Sequence, residues 1–367
     1  MFTSPVPARL AALRERLAPS EVDALLVAGP ENRRYLSGFT ADDPGAGVLL
    51  ITAQTATLLT DFRYQVWAQQ EVSDFEILIY RESQGAILAD LLRNQGVRRL
   101  GFEAAYLTYR QYEGLTQAVE EAGLEVAWQP LAGLTEDLRE VKSHPEQEAM
   151  RRALELSENV LREVARELAP GQTEAQVAWE IEKRLRENGA QGLAFPPMVA
   201  AGPNSARPHH RPGDYRLKEG EPIIIDLGAR VDGYCADISR TFILGPPDEH
   251  FRKIYQVVRT AQKTAEKSLK AGMDSLTADA LARQFIADVG YGEAFGHSLG
   301  HGVGLAVHEA PSLSPYKERS TVLKAGSVFT VEPGIYLTGW GGVRLEDMAL
   351  LHEDRAEVLN RLGFYEW

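Results

Sequence analysis

Four carboxylates sit where apolar strands should exclude them. Asp226 ends the apolar run of EPIIIDLG, and Asp237 follows 11 residues later in GYCADISRTF. Glu332 in FTVEPG and Glu346 in VRLEDM repeat the arrangement. One such Asp, taken alone, reads as a strand-end carboxylate turned to water. Four of them on paired inner strands would repel one another strongly, and burial would make each costlier still. Two divalent cations balance four negative charges, so the pattern points to a dinuclear metal site. The stretch HSLGHGVGLAVHE adds His297, His301 and His308, three of the eight histidines within twelve residues. Gly300, Gly302 and Gly304 stand between them and let the backbone run close to a site. One imidazole with four carboxylates is an oxygen-rich donor set, suited to manganese, cobalt, zinc or iron rather than copper.

These residues need elements to hold them. Asp226 and Glu332 are 106 residues apart, and Asp237 and Glu346 are 109 apart. Each pair lies in a strand-rich segment with Gly-rich turns, 221–244 and 325–351. Each segment follows two helical stretches. The first pair covers 145–168, with Met150, Leu154, Leu161, Val164 and Leu168 on one face, and a helix opened by the capping box Thr173–Gln176 and ended at Asn188-Gly189. The second pair covers 248–270 and a helix from near Thr277 to Gly290. A repeat of roughly 100 residues implies two similar halves facing each other. Ahead of them, apolar runs at 23–29, 47–52, 75–80, 98–103 and 124–128 alternate with helical stretches, the pattern of a small α/β domain. The expected organisation is an N-terminal α/β domain (1–135), a linker (136–146) and an α+β catalytic domain (147–367).

Composition narrows the function classes. With 367 residues, 44 % hydrophobic and 25 % charged, the chain is an ordinary globular protein of two domains. The formal charge of −13 disfavours nucleic acid as a main partner. The single cysteine, Cys235, forms no intrachain disulfide and fits a reducing compartment. No run reaches the roughly 20 apolar residues of a membrane helix, and the first residues are too polar for a signal-peptide core. A cytoplasmic location without membrane contact is therefore the expectation.

HSLGHGVGLAVHE, with the ordered set Asp226, Asp237, His301, Glu332 and Glu346, resembles the pita-bread metallopeptidases, and within them the Xaa-Pro peptidases, aminopeptidase P and prolidase. The likeness is strong over 145–367. It is looser over the N-terminal domain, where ENRRYLSGFT (31–40) and the α/β pattern carry it. The resemblance implies a creatinase/prolidase-like N-terminal domain, a pita-bread catalytic domain with an internal pseudo-twofold, a homodimer, and two divalent metal ions, manganese first among them. It implies that Asp226 binds one metal, His301 and Glu332 the other, and that Asp237 and Glu346 bridge both. It assigns catalytic roles to His209, His308, Glu332 and Arg344. Substrate contacts fall to His209, His297, His308, Phe195 and Tyr336. His210, beside His209, is expected to be an exposed neighbour. Arg344 lies two residues before Glu346 on a strand, hence on the same face, where it either steadies that carboxylate or meets substrate.

The activity implied is hydrolysis of the Xaa-Pro bond in proline-containing peptides. Glu332 is expected to take the proton of the attacking water and pass it to the departing proline nitrogen. His209 or His308 would steady the tetrahedral oxyanion, a contribution of roughly 3–4 kcal/mol for one preorganised donor. A dipeptidase must also capture its substrate's carboxylate. Ser312 stands where many small prolidases carry an Arg; Lys317 and Arg319 are near enough in sequence to compensate. The loop 41–47 holds Asp42 and Asp43 and no base. This favours an aminopeptidase P-like activity on longer peptides, with an Xaa-Pro dipeptidase as the alternative. Remoter readings are a methionine aminopeptidase, a metal-free creatinase-type enzyme, and a non-catalytic peptide-binding pita-bread protein.

Overall fold

The computed structural model describes residues 5–364, apart from the Arg319 side chain. Residues 1–4 and 365–367, the outer ends of the two expected domains, lie outside the described residues. The chain divides into two units, 1–139 and 140–367.

In the first unit the apolar runs become the strands Ala24–Val27, Val48–Thr52, Glu76–Tyr80, Arg99–Glu103 and Ala127–Leu131. A sixth strand, Ala56–Asp61, joins them; its sequence ATLLTD carries a weaker apolar signal but pairs antiparallel with Val48–Thr52. The sheet order is 76–80, 56–61, 48–52, 24–27, 99–103, 127–131. Strand 48–52 runs antiparallel to both its neighbours, and the outer pairings are parallel. The helices Gln84–Asn94 and Tyr109–Glu121 bury Leu88, Leu92, Leu115 and Val119 against Leu26 and Leu50 of the sheet. Fully buried Arg33 fixes the loop 41–47 by donating to the carbonyls of Ala41 (2.6 Å), Asp43 (3.0 Å) and Gly47 (2.7 Å).

Residues 136–146, expected as the linker, contain the 139/140 boundary between the two units and carry regular structure. Glu136–Glu140 is helical, Lys142 is buried, and a helix has already begun at His144. Its start is set by the Ser143/Glu146 capping box and by Pro145 in the first turn, where a missing N–H costs nothing.

The second unit is built twice over. Helices His144–Glu167 and Glu174–Glu187 precede the strands Met198–Ala201, Pro222–Leu227 and Ile238–Ile243. Helices Glu249–Ser268 and Ser275–Asp288 precede Gly300–Gly302, Val328–Val331 and Asp347–Leu351. In each half the last two strands pair antiparallel around a smaller inner hairpin. That hairpin is Ala229–Val231 with Tyr234–Cys235 in the first half, and Gly334–Leu337 with Gly341–Arg344 in the second. The first helix of each pair turns its apolar stripe to its own half. Met150, Leu154, Leu161 and Val164 pack with Ile223, Ile225 and Ile238, while Ile254, Tyr255 and Val258 pack with Phe329, Val331 and Ile335. Each fully buried aliphatic side chain of this kind contributes roughly 1.5–3 kcal/mol.

Candidate active site

Strand register brings the four carboxylates together. Asp226 pairs opposite Ser239, and Asp237 lies two residues before Ser239, so both acids occupy one face of the hairpin. In the other half Val331 pairs with Asp347, which sets Glu332 and Glu346 against each other at the next position. The halves meet at this seam, where the Glu346 N–H donates to the Ser239 carbonyl at 3.1 Å. Buried Arg240 stitches it by donating to the carbonyls of Ser239 (3.0 Å) and Glu346 (2.6 Å) and to Asp347 Oδ1 (2.6 Å).

His301 comes from the Gly300–Gly302 strand, which carries a bulge at the 301/302 step. Its neighbours must be glycine. A Cβ on Gly300 would lie 1.9 Å from the Thr330 carbonyl oxygen, and one on Gly302 would lie 2.0 Å from that of Ala310. His301 Nδ1 is 3.1 Å from the Gly302 carbonyl, which can only accept, so Nδ1 carries the proton. The lone pair of Nε2 then faces Glu332 Oε1 at 3.4 Å and Asp237 Oδ2 at 3.6 Å. This is the orientation of a metal-binding imidazole held by a backbone carbonyl.

A cleft of about 500 Å³ opens over this cluster. All five expected ligands line it, as do His209, His297, His308, Arg344 and Phe195. Tyr336 does not line it. Its hydroxyl lies behind the wall, 2.9 Å from His297 Nε2 and 3.2 Å from Arg344 Nη1. His297 donates from Nδ1 to the Ser298 carbonyl at 2.8 Å, so Nε2 accepts from Tyr336 and both ring nitrogens are engaged. The rings of His308 and His301 sit 4.2 Å apart, edge to face.

Arg344 is buried and heavily engaged. It donates to Asp226 Oδ2 (2.6 Å), Ser239 Oγ (2.9 Å) and the Pro208 carbonyl (3.2 Å). Ser239 Oγ in turn donates to Glu346 Oε2 at 2.8 Å. One guanidinium therefore orients two of the expected ligands, one directly and one through a hydroxyl.

One cation among four carboxylates leaves the cluster short of positive charge. Burial, with Glu346, Asp226 and Glu332 beside it, pushes Asp237 well above the usual carboxylate range. Burial, then Glu332 and Asp226, does the same to Glu346. Burial raises Glu332 as well, against the opposing pull of His297 and Arg344. Asp226 Oδ1 is buried with no hydrogen-bond partner among the described residues. One ligand atom each from Asp237, His301 and Glu346 lie within 4.8 Å of one another. An unpartnered oxygen, crowded carboxylates and a presented imidazole lone pair together fit divalent cations. On the histidines burial acts the other way. It lowers His297 and His301, and with His301 and His209 nearby it takes His308 down to about 4.

Residues 148–353 match the model of metallopeptidase family M24, more than half of the chain. The chain belongs to that family. Residues 9–141 match the creatinase/prolidase N-terminal domain, so this M24 protein has the expected two-domain plan, with the pita-bread fold in its catalytic unit. It is 35 % identical over 348 residues to an Xaa-Pro dipeptidase of Pyrococcus horikoshii, covering 95 % of each chain. Among solved structures it is similar to an Xaa-Pro dipeptidase from Bacillus anthracis, with a TM-score of 0.93, 35 % identity, and 98 % and 99 % of the two chains covered. It is likewise similar to an X-Pro aminopeptidase from Thermotoga maritima, with a TM-score of 0.85, 35 % identity, and 96 % and 98 % covered. Among the described residues, no helix is long and apolar enough to cross a membrane.

Two features of the site were not legible in the sequence. His210 is no exposed neighbour: its side chain is only 9 % exposed, with Nε2 2.8 Å from Glu174 Oε2. Behind His308, Glu309 forms a buried ion pair with Lys142 at 2.8 Å. The VHE motif draws the eye to its histidine. Nothing local to Lys142 marks it as the partner of a residue 167 positions away.

Proposed function

We propose that this protein hydrolyses the Xaa-Pro bond at the N-terminus of peptides, as an aminopeptidase P-like enzyme. The observation that carries the reading is the convergence of Asp226, Asp237, His301, Glu332 and Glu346 on the floor of one cleft. Those five residues would hold two divalent ions, with manganese favoured by the oxygen-rich donor set. When bound, the ions neutralise the carboxylates, acidify water and polarise the scissile carbonyl.

The chain's own residues do the rest. Glu332 takes the proton of the attacking water and returns it to the departing proline nitrogen, which as a tertiary amide carries none of its own. His209 and His308 line the cleft as imidazole donors for the oxyanion. Arg344, fully engaged with Asp226, Ser239 and Pro208, orients ligands rather than substrate. With both ring nitrogens occupied, His297 offers substrate only its ring, and Phe195 lines the same cleft.

Preference for longer peptides is supported by the cleft's charge. Among its described lining residues, Arg344 is the one Lys or Arg, and it is ion-paired to Asp226 at 2.6 Å. Ser312 lines the cleft; Lys317 is exposed and does not, and the Arg319 side chain lies outside the described residues. Among the described residues, no lining ammonium or guanidinium is therefore free to take a dipeptide's carboxylate. The second reading, an Xaa-Pro dipeptidase, is favoured by the names of the relatives from Pyrococcus horikoshii and Bacillus anthracis. Turnover of Xaa-Pro against Xaa-Pro-Xaa by the manganese-loaded enzyme decides between them, and rapid cleavage of the dipeptide alone overturns the first. Activity that survives full chelation would instead remove the metallopeptidase reading. The proposal includes a cytoplasmic homodimer, and sedimentation of the loaded enzyme checks the dimer.

A further inference from the structure

The buried pair Glu174–His210 takes no part in the mechanism above. Glu174 is the first residue of the Glu174–Glu187 helix, following the Thr173 cap. Its side chain is fully buried, at the positive end of the helix dipole. The carboxylate accepts four hydrogen bonds, all from the stretch 201–213. Ala201 N (2.8 Å) and Asn204 Nδ2 (3.0 Å) donate to Oε1; His210 Nε2 (2.8 Å) and Gly213 N (3.2 Å) donate to Oε2. An anionic carboxylate only accepts, so His210 presents its Nε2–H. The helix reciprocates, with Glu174 N donating to Tyr215 O and Ala175 N to Gly213 O, both at 3.0 Å.

His209 rides on this stretch with its side chain in the cleft. On one side of it the Pro208 carbonyl is held by Arg344 at 3.2 Å. On the other side, among the described residues, the His210 side chain is the anchor before Gly213. His209 is therefore bracketed between two buried charged groups, Arg344 from the second half of the unit and Glu174 from the first.

We propose that His210 is a positioning residue for His209: its bond to Glu174 fixes the backbone that aims the His209 imidazole at the oxyanion. This rests on the reading of His209 as an oxyanion donor. An oxyanion donor acts only when it lies within hydrogen-bond reach of the transition-state oxygen, and displacement by about 1 Å can cost as much as 100-fold in rate. Loosening one of two anchors should cost less than losing the donor.

The test uses the manganese-loaded full chain with an Xaa-Pro-Xaa substrate, with metal content and Tm measured for every variant. H210A should lower kcat roughly 10-fold and leave KM within about twofold, because the His209 hydrogen bond that it weakens forms only in the transition state. H210Q, whose amide nitrogen can donate to the same carboxylate, should return to within about threefold of wild type. The double variant H209A/H210A should be no slower than H209A, since a positioning residue has no effect once its target is gone. Three results overturn the proposal while leaving the function standing. They are an unchanged kcat in H210A, an equal loss from H210A with and without His209, or a fall in bound metal that accounts for the loss. An H209A enzyme with wild-type kcat removes the reading of His209 and the proposal together.

Discussion

Replacing Asp237 with Asn removes one charge from the crowded centre, where ligand atoms of Asp237, His301 and Glu346 lie within 4.8 Å of one another. No described hydrogen bond holds the Asp237 side chain, so a near-isosteric amide gives up little else. At an effective dielectric constant of about 20, two like charges some 5 Å apart repel by about 3 kcal/mol. Protonation at neutral pH relieves part of that, because burial and the neighbouring acids already raise Asp237. D237N should therefore stabilise the metal-free protein by about 1–3 kcal/mol, at roughly 2–4 °C of Tm per kcal/mol for a unit of this size. The pH dependence has a definite sign. Asp237 and Glu346 titrate higher in the folded state than in the unfolded chain. The metal-free native state thus holds more protons, and its stability is full below the ordinary carboxylate range and lost as pH rises through the raised values. D237N should flatten that slope. Metal reverses the order: at 100 times its Kd a single bound ion adds about 2.7 kcal/mol to wild type, and this gain should vanish in D237N. Thermal melts with and without chelator across pH 5–8, with metal content measured in parallel, give all three quantities. A D237N protein that is less stable than wild type in chelator, or that keeps the full metal gain, refutes the electrostatic reasoning.

Three further outcomes are expected. E332Q should cut turnover by about 10²–10⁴ through loss of the proton shuttle while measurable metal remains bound; near-wild-type turnover with both ions present would end that role for Glu332. K142M should destabilise the chain by about 3–5 kcal/mol by stranding the buried Glu309 carboxylate, and K142M/E309L should recover most of it; equal denaturation midpoints for the two variants would show that the pair is inert. S312R should raise kcat/KM on Xaa-Pro dipeptides at least 10-fold relative to Xaa-Pro-Xaa peptides, by supplying the cleft with a carboxylate partner; an unchanged ratio of the two rates would place the carboxylate elsewhere.

The chemistry was legible in the chain because carboxylates inside apolar strands are costly and therefore conspicuous. Asp226, Asp237, Glu332 and Glu346 announce themselves in that way. His301 does so through flanking glycines that no side chain could replace at 1.9 and 2.0 Å from neighbouring carbonyls. The helices were legible through capping boxes and apolar periodicity, both of which act within a few residues. Strand Ala56–Asp61 was not, because its pairing rather than its composition makes it a strand. Tertiary structure alone decided the supporting shell: Arg344 to Asp226, Arg240 across the seam, Glu309 to Lys142, and Glu174 to His210. Each of these is a pairing of a charged side chain with a group distant in the chain. A charged residue looks the same in sequence whether it faces water or a buried partner far along the chain. Only the folded register of the two halves distinguishes them.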